Sequence, residues 1–161
     1  VAGWVKGIPL GNPQHEQIAA TQETADRFFA PRRAGENPFA LREELGKLMW
    51  KNVGIVRDGK NLAAAIAGIR ELSRRAEHAN VPGGRIFNLG WQQALDVRNL
   101  LVASDLIARS ALVREDSRGA HHRSDFPQTD NTNWLRNIYA SRDGAEVKQW
   151  TVPVKLPHLR P

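Results

Sequence analysis

A run of apolar residues at helical spacing, from about Leu89 to Val113, constrains the fold of this chain more than any other feature. It predicts one helix of about 25 residues, or some 37 Å at about 1.5 Å per residue. Two apolar seams run along this helix. One seam contains Trp91, Leu95, Val102, Leu106 and Val113, and a neighbouring seam contains Ala94, Leu101 and Ala108.

Two further helices are predicted before this run. Asn37-Pro38 combines a capping side chain with a proline at the first helical position, and Gly54 ends that helix. A second helix is expected from about Gly59 to Ala79. Their apolar stripes are Leu41, Leu45, Leu48, Met49, Trp50 and Val53 in the first helix and Leu62, Ile66, Ile69, Leu72 and Ala76 in the second. Together the three helices predict a mainly α fold built on an antiparallel three-helix bundle.

The chain divides into three parts on this pattern. Residues 1–36 form an N-terminal arm with one short helix at about Gln17 to Ala30, residues 37–117 form the bundle, and residues 118–161 form a charged junction and a tail. The tail predicts a β-hairpin with strands at 134–140 and 147–154 and a turn at 141–144. Trp134 and Trp150 would then face each other across the strands.

Composition limits the classes of protein to consider. The 161 residues carry a net charge of +6 and include no cysteine, which excludes disulfides and thiolate chemistry. No stretch approaches the roughly 18 apolar residues of a membrane-spanning helix. The chain begins at Val1 without a methionine or a signal-peptide pattern, so we expect an excised fragment. A complete but degenerate paralogue, acting as a partner for an assembly factor, is the alternative.

The charged segment from Arg114 to Pro127 separates the long helix from the tail. Arginine binds carboxylates and phosphates, and histidine carries protons near neutral pH, so a role next to a bound cofactor or substrate is one interpretation. We favour a structural one, in which the glycine permits a tight reversal and the charges form hydrogen-bonded pairs between domains. The candidate residues are Arg118, Gly119, His121, Arg123 and Asp125.

Other site patterns are weaker. His121 and His122 with His78 lack the spacing of metal ligands on one helix face. Ser110 and Ser117 lie near histidines, but no nucleophile-elbow sequence accompanies them. A basic module that binds nucleic acid through Lys60, Arg70, Arg74 and Arg75 is an alternative function, although the basic residues are interleaved with acids.

Four stretches of the chain resemble the C-terminal region of the flavoprotein subunit of succinate dehydrogenase and fumarate reductase, a family that also contains L-aspartate oxidase. They are Leu41-Arg42-Glu43-Glu44-Leu45 with residues 48–57, Leu95-Asp96-Val97-Arg98-Asn99-Leu100-Leu101, Glu115-Asp116-Ser117-Arg118-Gly119-Ala120-His121 with Arg123, Asp125, Phe126 and Pro127, and Asn133-Trp134-Leu135 before the hairpin. Residues 49–57 are as similar to L-aspartate oxidase as to the dehydrogenases.

This resemblance implies a parent protein that binds FAD in a separate N-terminal domain and exchanges hydride with a dicarboxylate. The family's flavin-binding and catalytic residues have no match here, so we assign no catalytic, cofactor-binding or metal-ligating residue to this chain. The implied partners are the FAD-binding domain of the same protein and an iron-sulfur subunit or assembly factor. The implied location is the cytoplasm, or the cytoplasmic face of the inner membrane reached through partner subunits.

The apolar residues outside the bundle predict how the chain behaves without its flavin domain. Trp50 and Trp91 fall on helix stripes and are expected in the core, whereas Trp4 lies in the arm and is the best candidate for an interface. We expect Trp4, Phe28, Phe29 and part of the hairpin to expose apolar surface and to drive some self-association.

Overall fold

The computed structural model describes Gly7 and residues 11–29, 35–143 and 146–155. Three helices form its centre: α2 (Pro38–Val53), α3 (Gly59–Ala76) and α4 (Leu89–Val113). They pack as an antiparallel three-helix bundle, which confirms the predicted mainly α architecture. A helical arm precedes the bundle and a hairpin follows it.

Each bundle helix begins at a polar capping residue. The side chain of Asn37 accepts a hydrogen bond from the Phe39 amide before α2, and Asp58 and Asn88 serve α3 and α4 in the same way. A capping oxygen satisfies one of the amides that have no partner in the first helical turn. Each of these helix starts is therefore satisfied by a residue that adjoins the helix in the sequence.

The buried apolar residues of α4 include the whole second predicted seam and none of the first. Val102 and Val113 of the first predicted seam are 50% and 40% exposed, whereas the neighbouring seam is buried. Small side chains such as those of Ala94 and Ala108 allow helix axes to approach closely. The buried residues of the bundle include Leu41 and Leu45 from α2, Leu62, Ala65, Ile69 and Leu72 from α3, and Ala94, Val97, Leu101, Ala108 and Ala111 from α4.

Two other sequence expectations in the bundle are wrong. Trp50 is 86% exposed, because it follows Leu41 by nine residues, about two and a half helical turns, and so points away from the buried stripe. Helix α3 ends at Ala76, three residues before the predicted Ala79. Tight turns replace its last turn, with the His78 amide bonded to the Arg75 carbonyl at 2.9 Å.

The N-terminal arm contains α1 (His15–Asp26) and a 3₁₀ turn (Arg27–Phe29). Helix α1 is exposed, but Phe28 is only 1% exposed and belongs to the bundle core. Trp91 is half-buried against the core and donates its indole hydrogen to the Ala25 carbonyl at 2.8 Å. The prediction that Phe28 lies on an exposed apolar surface is therefore wrong, while Trp4 lies outside the described residues.

A short parallel pair links the bundle to the junction. Strand β1 (Val56–Arg57), between α2 and α3, pairs in parallel with β2 (His122–Arg123), which follows α4. No pattern in the sequence predicts this pairing, because two-residue strands carry no periodicity.

The tail is a hairpin, as predicted, of β3 (Arg136–Asp143) and β4 (Glu146–Pro153). Its strands include Ser141 and Asp143, which were expected in the turn. Trp134 lies instead in the four-residue helix α5 (Asn131–Trp134), so it does not face Trp150. Tyr139 is the residue opposite Trp150, and their rings stack at 5.8 Å. Within the described ranges, no helix is long and apolar enough to cross a membrane.

Candidate functional site

The candidate site is the junction that follows α4. The chain reverses at Gly119, whose φ of +56° belongs to the left-handed region that favours glycine. Arg118 and His121 close the reversal by two backbone hydrogen bonds, of 2.8 and 3.0 Å. The chain then returns along β1, which fixes the side chains of β2 against the ends of two bundle helices.

Arg123 is the most buried charged side chain of the junction after Asp116, at 2% exposure. Its Nη1 atom donates to the backbone carbonyls of Ala111, Leu112 and Arg114 at 2.9, 3.0 and 2.8 Å. The last carbonyls of a helix have no partner within the helix and carry partial negative charge. Arg123 therefore acts as a C-terminal cap for α4, supplied from a later part of the chain.

Asp125 connects this cap to the start of another helix. It accepts two hydrogen bonds from the Arg123 guanidinium, at 2.7 and 2.8 Å, and one from the Gly59 amide at 2.9 Å. The hydrogen bonds from Arg123 hold the pKa of Asp125 well below its ordinary value of 3.8. Through these two residues, the C-terminal end of α4 and the N-terminal end of α3 are joined by one ion pair.

A second carboxylate fastens the hairpin. Asp116 is fully buried and accepts hydrogen bonds from Arg114 and Arg118, each at 3.0 Å. Arg114 also donates to the Trp134 and Arg136 carbonyls, so it ties the end of α4 to the start of β3. Asp116 and Arg114 were not among the predicted site residues. Their signal is an aspartate with an arginine two residues away on each side.

The Ser117 side chain is hydrogen-bonded to the backbone of the junction. Its hydroxyl donates to the Phe126 carbonyl at 2.8 Å and accepts from the Arg123 amide at 2.9 Å. Its own carbonyl accepts from the Thr129 hydroxyl at 2.7 Å. These contacts define the path of the returning chain and leave the hydroxyl hydrogen engaged with a carbonyl.

His121 contacts Arg57, which was not among the predicted site residues either. The Arg57 Nη1 atom lies 2.8 Å from His121 Nδ1. Arginine stays protonated, so Nδ1 is the acceptor and the imidazole proton lies on Nε2. Burial, and then the charge of Arg57, lower the pKa of His121 below its ordinary value of 6.5, although the Arg114 backbone partly opposes this shift. His121 is therefore neutral at pH 7.

The residues considered for nucleic-acid binding and for a metal site do not form a site of either kind in the described part of the chain. Arg74 pairs with Glu71, and Arg75 pairs with both Glu36 and Glu44 at distances of 2.8 and 2.6 Å. Two of the four cations proposed for nucleic-acid binding are thus engaged by carboxylates. Among the described residues, no group of three or more histidine, aspartate and glutamate side chains could hold a metal ion.

The turn from β1 into α3 does not fit the FAD that the family resemblance implies for the parent protein. A dinucleotide needs a glycine-rich turn from a strand into a helix, with the helix amides open toward the phosphates. The turn from β1 into α3 instead holds the carboxylates of Asp58 and Asp125 on the Asn61 and Gly59 amides. Two negative charges would repel a pyrophosphate, so no flavin phosphate site is assigned to this helix end.

Comparison with known proteins gives consistent matches. The family model of the fumarate reductase flavoprotein C-terminal region matches residues 42–161. A fumarate reductase (CoM/CoB) subunit of Methanothermobacter marburgensis is 40% identical over 105 residues, which are 65% of this chain and 19% of that protein. An L-aspartate oxidase of Nicotiana tabacum is 36% identical over 104 residues, 61% of this chain and 15% of that protein.

A solved structure agrees over nearly the whole chain. One chain of the Mycobacterium smegmatis Sdh1 complex in the apo form is 34% identical, with a TM-score of 0.85. The match covers 99% of this chain and 27% of the other. The chain therefore spans about a fifth of the length of the curated relatives it matches, and its fold corresponds to one part of a larger protein.

Proposed function

We propose a function from the premise that this chain belongs to the family of fumarate reductase flavoprotein C-terminal domains, as part of a succinate dehydrogenase or fumarate reductase-type flavoprotein. Its role is to brace the FAD-binding domain of the same protein. The parent is an FAD-dependent oxidoreductase that acts on a dicarboxylate, and this chain supplies no catalytic residue to that reaction.

The observation that supports this proposal is that the charged side chains of the junction are used within the chain. Arg123 is shared among three carbonyls and Asp125, and Asp116 is held between Arg114 and Arg118. A catalytic acid, base or nucleophile needs an atom that can reach a substrate. These contacts instead make the ends of two helices and the hairpin one rigid unit, which suits a brace.

The partners and location follow the same proposal. An iron-sulfur subunit or an assembly factor would contact the parent protein, and the parent would lie in the cytoplasm or at the cytoplasmic face of the inner membrane through such subunits. An L-aspartate oxidase parent is the second candidate, which the tobacco relative favours. Assays of the full reading frame with succinate, fumarate and L-aspartate would distinguish the two.

A domain exchange tests the bracing role. The C-terminal part of the Methanothermobacter protein that matches this chain would be replaced by this chain, and compared with the same protein truncated at that point. We expect the exchanged protein to retain more FAD per polypeptide than the truncated one, and to unfold at a higher temperature. This chain alone should not quench the fluorescence of added FAD.

The control for this experiment separates bracing from solubility. An exchanged protein with Arg123→Gln loses the central contact of the junction, whereas Arg98→Gln changes an exposed arginine of α4. Bracing through the junction predicts FAD loss for the first variant alone. Equal FAD content in the exchanged and truncated proteins, or flavin binding by the isolated chain, would contradict the proposal.

A further inference from the structure

A pocket lies beside the junction, between β1, the second half of α4 and the hairpin. Its polar lining consists of Arg57, Arg114, His121 and Ser110, and its apolar lining includes Ile107 and Ile138. No acidic side chain of the described residues lines it. The pocket therefore combines a cationic end with an aliphatic wall.

Arg57 differs from the arginines of the junction in the partners that it has. Its Nε atom donates to the Gly54 carbonyl, and its Nη1 atom donates to His121. Arg114, Arg118 and Arg123 each have an aspartate partner, but Arg57 has no carboxylate within ion-pair distance in the described part of the chain. It is half-buried, and this burial lowers its pKa. A cation withdrawn from water without a counter-ion is unfavourable.

His121 and Ser110, which also line the pocket, are donors as well. The Nε2 atom of His121 is buried and has no partner in good hydrogen-bond geometry among the described residues, although the Arg114 backbone lies near the ring. Its Nδ1 accepts from Arg57, so Nε2 carries the hydrogen. The Ser110 oxygen accepts from Gln149 Nε2 at 3.0 Å, which leaves its hydroxyl hydrogen for another acceptor. All three groups favour an acceptor of negative charge.

We propose that this pocket binds a carboxylate group attached to an apolar stem, with Arg57 as its counter-ion. Arg57 retains the second terminal nitrogen of its guanidinium, and a planar carboxylate suits that geometry. Arg114 already donates to Asp116 and to two carbonyls, so it adds charge to the site rather than further donors. Ile107 and Ile138 would contact the stem. A phosphate dianion needs more donors than this arrangement offers.

The carboxylate can come from a free small molecule or from the acidic side chain of an adjoining polypeptide. Both present the same group, and neither depends on the bracing role. The FAD content of the exchanged protein tests the bracing role, whereas carboxylate binding to the isolated chain tests this site.

The experiment is an NMR titration of this chain at constant ionic strength. The probes are acetate, succinate, N-acetyl-glutamate amide as a mimic of an acidic side chain, and N-acetyl-glutamine amide as its neutral control. We expect saturable shifts of the His121 ring signals and of the Ser110 and Ile138 amides. Arg57→Gln should weaken binding about tenfold or more, because it removes a charge-assisted hydrogen bond, while Arg98→Gln should leave it unchanged.

Each outcome has a defined meaning. Tightest binding by succinate supports the site with a free dicarboxylate as its ligand, and equal or tighter binding by the glutamate mimic supports the site with a side chain as its ligand. The proposal is overturned if the wild-type signals do not move, if the neutral glutamine mimic or chloride moves them equally, or if inorganic phosphate binds as tightly as acetate. The wild-type titration decides this even if Arg57→Gln fails to fold.

Discussion

Arg123 shows how one side chain can replace several missing backbone partners. A guanidinium has five N–H donors in a rigid plane, and here Nη1 is shared among three carbonyls at the end of α4, while Nε and Nη2 each donate to one oxygen of Asp125. The guanidinium carbon also lies 4.9 Å from the Phe126 ring centroid, a cation–π contact. Burial of this charge is tolerated because its donors have acceptors.

Replacing Arg123 should destabilise the chain severely. Arg123→Gln leaves the α4 carbonyls and the partly exposed Asp125 without their donor, and each buried acceptor left unsatisfied costs about 1–3 kcal/mol. Arg123→Lys should also lose most of the stability, because an ammonium group cannot reproduce the planar contacts. Urea unfolding would measure both. Arg98→Gln, an exposed control on the same helix, should stay within about 0.5 kcal/mol of wild type.

Gly119 provides a purely conformational test. A Cβ atom added there meets no atom within 4 Å, so substitution tests the positive φ without a steric clash. We expect Gly119→Ala to lower the free energy of unfolding by about 1 kcal/mol, and Gly119→Asn to lower it less, since asparagine tolerates this region better. Equal stability of the alanine variant and wild type would show that the reversal does not need its left-handed backbone.

At the scale of elements, Asn88 illustrates a cap that also orders a loop. Its side-chain oxygen accepts from the Trp91 amide, while its Nδ2 atom donates to the Pro82 and Gly84 carbonyls at 3.0 and 2.7 Å. One residue therefore begins α4 and closes the connection from α3.

The two contributions of Asn88 can be separated by substitution. Asn88→Ala removes both and should cost about 2 kcal/mol, of which about 1 kcal/mol is the cap and the rest is the loop contacts. Asn88→Asp keeps the accepting oxygen but loses the donors, so its loss should be smaller. Thermal unfolding measures both variants, and an equal loss in the two would assign the whole effect to the loop.

Local signals determined how far the sequence could predict these elements. The Asn37-Pro38 cap placed the start of α2, and apolar spacing placed the starts of α3 and α4, because those signals are contained within one helix. They could not show that small residues of α4 would be buried while Val102 stays exposed, because helix rotation depends on the neighbouring helix. The β1–β2 pair and the Arg57–His121 contact join residues far apart in sequence, and no local pattern predicts them.

The whole molecule should lose stability in acid in two stages. The folded-state pKa of His121 is lowered, so the unfolded chain binds its proton first, and stability should begin to fall below about pH 6.5. The pKa values of Asp125, Glu36 and Glu44 are lowered by their arginine partners, so their contributions are present above their ordinary values and are lost as the pH falls below about 4.

His121→Asn separates the two stages. Its amide oxygen can still accept from Arg57, but the side chain does not titrate. Urea unfolding between pH 7 and pH 3 should show that the stability of this variant does not fall in the upper stage, which begins below about pH 6.5. In the lower stage, below about pH 4, its stability should fall as that of the wild type does. If the wild type became more stable as the pH fell from 6.5 to 5, the assigned direction of the His121 pKa shift would be contradicted.

The ion pair between the ends of α3 and α4 also has a consequence for synthesis on the ribosome. The Gly59 amide and the Asp125 carboxylate are 66 residues apart in the chain. A nascent chain that has emerged only as far as Val113 possesses all three bundle helices, yet the last carbonyls of α4 have not met Arg123. The bundle therefore stays incompletely secured until the junction emerges, and chains arrested before that point should be more sensitive to proteases than chains arrested after it.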